Sequence, residues 1–111
     1  MKLINLTAHT VRIFNGPEVS LEVEPDKPMA RIVEIVEHEK KLDIAGHAIP
    51  VATIRYGNTQ GLPEPCEGVA YIVSRITAAA CVGRTDVFFP LEEVRGDSGQ
   101  IIGCRALGQF G

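Results

Sequence analysis

The chain has 111 residues, 45% of them hydrophobic and 23% charged, with a net charge of −3. That is long enough for one domain with its own core and too apolar for disorder. The acidic balance argues against nonspecific attachment to a nucleic-acid backbone, and no apolar run approaches the roughly 18 residues of a membrane-spanning helix.

Taken in chain order, Leu3 to Asn5 and Val11 to Phe14 read as short strands around T-A-H-T, and Asn15-Gly16-Pro17 as a turn. Val19, Leu21 and Val23 alternate with Ser20, Glu22 and Glu24, the period-two pattern of a half-buried strand ended by Pro25 to Pro28. Ala30 to Glu39, rich in Ile and Val, favours another strand, with Lys40 to Asp43 as a charged break. Ile44 and Ile49 to Arg55 flank Ala45-Gly46-His47 as a hairpin, closed by Tyr56-Gly57-Asn58. Gly61 to Gly68 reads as a stiff loop, with Pro63 and Pro65 fixing φ. Val69 to Val73 is the most apolar strand candidate. Ser74 then stands as N-cap of a helix over Arg75 to Val82, with Gly83 at the C′ position. Asp86 to Leu91 is strand-like and stopped by Pro90. Val94 to Ile102 is a hairpin turning at Gly96 to Gly99, and the last strand runs through Cys104 to about Leu107.

The pattern predicts a single α+β domain over residues 1–111: a mostly antiparallel curved sheet or partial barrel with one short helix. With aromatics at 5% and no tryptophan, its core must be aliphatic. A short chain this hydrophobic is expected to leave apolar surface for a homo-oligomer, most simply a dimer. Asn5, His9 and Arg12 interrupt the opening segment, which therefore does not read as a signal peptide, and a cytoplasmic location is expected. Cys66, Cys81 and Cys104 contain no C-x-x-C pair, and an odd count points to reduced thiols, Cys66 the most reactive and Cys81 the least. His9, His38 and His47 show no H-x-x-x-H spacing, so neither a metal site nor a cofactor is expected.

Charge is unevenly distributed. Every lysine lies in the first half, whereas the second half carries only arginines: Arg55, Arg75, Arg84, Arg95 and Arg105. Arginine suits fixed, bidentate contacts with phosphate or carboxylate, and equally suits ion pairs with the nearby carboxylates.

At N-L-T-A-H-T-V, R-Y-G, G-L-P-E-P, Y-I-V-S and I-I-G-C-R the chain resembles a family of short uncharacterised proteins from bacterial and phage genomes. Ala8 stands where that pattern has proline, and Cys66 where it has a polar or acidic residue. The resemblance implies a phage accessory role and brings no mechanism with it.

Catalytic signatures are missing: there is no G-x-S-x-G elbow, P-loop, H-E-x-x-H or dinucleotide fingerprint. Binding is better motivated. A helix start exposes backbone N–H groups, and Ser74, Arg75 and Thr77 add a hydroxyl, a guanidinium and a further donor for an anion. Arg55-Tyr56 offers a fork and a stacking face, and His9 in T-A-H-T a loop imidazole. The leading expectation is a noncatalytic protein that captures a small anionic or nucleotide ligand, a phosphorylated metabolite or signal, to counter host defence. The alternatives are an interaction module that inhibits a host enzyme, and a small hydrolase.

Overall fold

A computed structural model describes residues 1–111, apart from the side chain of Glu39. The elements are β1 (Lys2–Asn5), β2 (Val11–Asn15), β3 (Glu18–Val23), β4 (Arg31–Ile44), β5 (His47–Gln60), β6 (Val69–Ile72), α1 (Arg75–Ala79), β7 (Val87–Arg95) and β8 (Ile101–Gly108). Six strands make one sheet in the order β1-β6-β7-β8-β2-β3, while β4 and β5 form a separate two-stranded ribbon. No helix is long and apolar enough to cross a membrane.

The strand-dominated α+β class with one short helix holds, but the six-stranded sheet is mixed rather than mostly antiparallel. β6 runs parallel to β1 and to β7, and β2 parallel to β8; β7–β8 and β2–β3 are antiparallel. For β6 and β7 the physical reason lies at Ser74. A helix placed between two strands forms a crossover, and a crossover delivers the second strand parallel to the first. The sheet curls until its ends meet: Asn5 at the end of β1 bridges Pro25 just beyond β3, and the Asp26 N–H donates to the Asn5 carbonyl at 2.7 Å. The partial barrel is therefore nearly closed.

β6 explains the most apolar run in the sequence. Tyr71 and Val73 pack on one face with Leu6, Ala78, Val87 and Phe89. Ile72 packs on the other with Val11 and Cys104. A strand covered on both faces has no polar side to alternate with. By contrast β3, expected to be half-buried from its alternation, is exposed at the sheet's edge, with Val19 at 44% and Leu21 at 46%.

Three boundaries move. The charged segment Lys40 to Asp43 lies inside β4, and Tyr56-Gly57-Asn58 inside β5. Solvated strands tolerate charge on either face, so charge alone ends nothing there. The turn is Ala45-Gly46, both with positive φ (52° and 82°), as a type I′ hairpin requires. Pro90 does not stop β7; it pairs with Leu107 inside the ladder. The helix ends at Ala79, and Cys81 and Arg84 continue it only as turns bonded three residues back, to Ala78 and Cys81. Cys66 is exposed, Cys81 partly buried and Cys104 buried, so Cys104 rather than Cys81 is the thiol farthest from solvent. Burial pushes the Cys81 and Cys104 thiols above their ordinary range.

Candidate functional site

Asn5 organises the T-A-H-T loop. Its side chain is fully buried. The amide donates to the carbonyls of His9 at 2.7 Å and Val23 at 2.9 Å, and its oxygen accepts from the Thr7 N–H at 2.9 Å. The Thr7 hydroxyl lies 2.6 Å from the Asn5 oxygen and 2.9 Å from the His9 carbonyl, and its single proton serves one of them at a time. The loop is thereby tied to the end of β1 and to β3, and it presents His9 at the surface. Among the described residues the His9 imidazole has no hydrogen-bond partner. The sequence reading missed Asn5, although Asn followed two residues later by Thr is the spacing of an Asx-turn.

Ser74 caps α1 as its composition predicts. With φ −66° and ψ 156° it accepts from the Thr77 N–H at 3.3 Å, and its hydroxyl lies 2.9 Å from that of Thr77. Thr77 bonds the Ser74 side chain rather than its backbone N–H, so it does not replace the Glu or Gln of a capping box. It is 1% exposed and faces the core. Arg75 pairs with neither Glu67 nor Asp86. Its guanidinium lies over the rings of Phe89 and Phe110, 5.2 and 5.9 Å from their centroids. Asp86 is taken instead by Arg84, which grips it with two bonds of 2.9 and 2.6 Å and also reaches the Pro63 carbonyl at 3.1 Å. The hydrogen bonds from Arg84 hold the Asp86 carboxyl below the usual carboxylate range.

His9 and Ser74, far apart in sequence, line one cleft of about 630 Å³. Thr7, Val11, Arg12 and Pro90 also line it, together with Glu93 and Ile101 of β7 and β8. Both charged residues of the cleft are paired with a residue outside its lining: Arg12 lies 3.4 Å from Glu22, and Glu93 lies 3.2 Å from Arg95. Gly103 on β8 also lines it, at a position where nothing larger fits. A Cβ would stand 2.6 Å from the Arg12 carbonyl and 2.5 Å from the Phe14 ring.

The six residues singled out in the sequence therefore separate. His9 and Ser74 share the cleft, Thr77 supports Ser74 from beneath, and Arg75 sits on the aromatic pair. Arg55 and Tyr56 belong to β5, where Arg55 is ion-paired with Glu37 across the ribbon and Tyr56 is 50% exposed opposite Glu34. Comparison with protein-family models, curated proteins and solved structures finds no match to this chain.

Proposed function

We propose that the protein is a noncatalytic binder that captures a small phosphorylated metabolite of the nucleotide class in the cleft shared by His9 and Ser74. The observation that carries this reading is that His9, Ser74 and Arg12 line one cleft. An imidazole on a pinned loop, a hydroxyl and a guanidinium are the donors that phosphate oxygens accept. Val11, Pro90 and Ile101 supply the apolar wall that a base requires. The volume falls within the roughly 300–1,000 Å³ of small-molecule sites. Capture without turnover fits Ser74, whose hydroxyl caps α1 through Thr77 rather than pairing with a base. A binder of this kind would act in the cytoplasm by sequestering a host defence signal.

Thermal unfolding against inorganic phosphate and a panel of linear and cyclic nucleotides tests the proposal. A ligand at a hundred times its Kd is expected to raise Tm by roughly 5–15 °C, and His9→Ala and Arg12→Ala to remove that rise. Unchanged melting across the panel at millimolar concentration overturns the reading. Recovery of a converted ligand after denaturation supports the hydrolase instead. The interaction-module alternative draws on a different feature, the edge strand β3 with its exposed Val19 and Leu21, which offers a site for strand addition. It predicts that Leu21→Lys, not His9→Ala, abolishes inhibition of the target enzyme.

A further inference from the structure

Glu93 is the one carboxylate among the described residues that line the cleft. A phosphate gains nothing from it, because like charges repel. A phosphorylated ligand held here therefore turns a different part of itself toward Glu93.

The strand register shows where Glu93 stands. It pairs with Cys104 on β8, and Cys104 pairs with Ile13 on β2. Directly opposed residues project from the same face of a sheet, so Glu93 shares the face of Cys104, Ile13 and Val11. Cys104 and Val11 also line the cleft. The anion donors lie farther along the sheet. Continuing the β6–β7 register beyond Ile72–Phe88 sets Ser74 level with Pro90, and Glu93 follows three residues later. At about 3.3 Å per residue, Glu93 stands roughly 10 Å beyond Ser74 along β7. His9 stays at the Ser74 end, because its carbonyl is bound by Asn5 and Asn5 pairs with Ile72. That separation matches the reach of a mononucleotide from its phosphate to the far edge of its base.

Glu93 is oriented without being used up. Arg95 donates to its Oε2 at 3.2 Å and is itself tied to the Gly99 carbonyl at 2.8 Å. The other oxygen, Oε1, has no hydrogen-bond partner among the described residues, and the side chain is 53% exposed.

An ionised carboxylate only accepts hydrogen bonds, and its two oxygens match two donors lying side by side. Guanine presents such a pair on its pairing edge, the ring N–H beside the exocyclic amino group. Adenine and cytosine place an acceptor nitrogen beside their amino group, and uracil flanks its single N–H with two carbonyls. Each of these sets a lone pair against a carboxylate oxygen.

We propose that Glu93 reads the base of the captured ligand, and that the ligand is a guanine nucleotide. Its phosphate lies toward His9 and Ser74, and its ring N–H and amino group donate to Glu93. The proposal rests on the capture reading of the cleft and adds the identity of the base.

Calorimetric titration with the monophosphates of guanosine, inosine, adenosine, cytidine and uridine tests it, with inorganic phosphate as the baseline. The guanosine compound is expected to bind at least about tenfold more tightly than those of adenosine, cytidine and uridine, the scale of a bidentate base contact. Inosine, which keeps the ring N–H but lacks the amino group, is expected to fall between. Glu93→Gln keeps the shape but offers one acceptor and one donor, which suits adenine, and is expected to remove or reverse the preference. Glu93→Ala is expected to bring guanosine monophosphate to the level of the others without weakening inorganic phosphate. Equal binding of the guanosine and adenosine compounds to the unsubstituted protein overturns the proposal. So does a Glu93→Gln variant that weakens every nucleotide alike, the result expected if Glu93 only holds Arg95. Both outcomes leave phosphate capture in the cleft standing, whereas no binding by any nucleotide defeats the capture reading and the base assignment together.

Discussion

The six-stranded body and the β4–β5 arm are both built of β-branched strands, yet different forces hold them. In the body, Ile72 and Val73 are wholly buried, and no buried side-chain polar atom among the described residues lacks a partner. In the arm no described residue is buried. Its strands are held by their own ladder and by cross-strand pairs such as Arg55–Glu37, which in water contribute about 0–1 kcal/mol each. High strand propensity therefore says where a strand forms, not what stabilises it.

The largest test of that contrast is a matched pair of truncations. Ile72→Ala is expected to cost about 2–5 kcal/mol in denaturant titration, because it opens a cavity in a sealed core. Val36→Ala, measured on the monomer, is expected to cost no more than about 0.5 kcal/mol. Equal costs would mean that the arm belongs to the cooperative unit of the body.

Asn5 asks whether the cleft depends on the body's buried polar anchor. Asn5→Ala removes the bonds to Thr7, His9 and Val23 and is expected to cost about 2–3 kcal/mol, together with any ligand-dependent rise in Tm. Asn5→Asp sharpens this result: it keeps an acceptor for Thr7 but loses both donated bonds, and so loosens His9 specifically. Ligand stabilisation that survives Asn5→Asp would detach the cleft from its anchor.

The Arg84–Asp86 pair gives a smaller effect with a defined sign. The Asp86 pKa is lowered in the folded state by its hydrogen bonds to Arg84. Its contribution is therefore fully present above the unfolded carboxylate pKa of about 3.9 and is lost as pH falls through the folded value. Asp86→Asn is expected to cost about 0.5–1.5 kcal/mol at neutral pH, where the charge-assisted bonds to Arg84 are lost, and almost nothing at a pH below the folded value, flattening the acid limb of the stability curve. An equal cost at both pH values would assign the loss to packing.

The smallest expected effect is confined to the arm. Ala45 has φ 52° in a turn where asparagine is preferred, and a left-handed alanine costs about 1 kcal/mol. Ala45→Asn is expected to slow hydrogen exchange near the tip by less than about tenfold without moving the Tm of the body. A shift in the global Tm would couple the two regions.

Most elements were legible because their signals are local. Ser74 is followed by an alanine-rich turn, Asn15-Gly16 and Gly96 to Gly99 punctuate hairpins, and β-branched runs mark strands. The site was half legible. His9 and Ser74 stood out as donors, but their meeting depends on β1 and β6 lying side by side and on the curl that brings the loop over the β7–β8 hairpin. Arg75 was read as an anion ligand because sequence carries no sign of the Phe89–Phe110 pair beneath it.

The sequence by itself determined the strand-rich composition, the single short helix, the cap at Ser74 and the aliphatic core, since each follows from residue type and spacing within a few positions. Tertiary structure alone decided the parallel pairings, the exposure of β3, the length of the arm and the company each arginine keeps. Those depend on which face of a strand finds a neighbour, and alternation is the same whether the apolar side meets a core, a second copy or water.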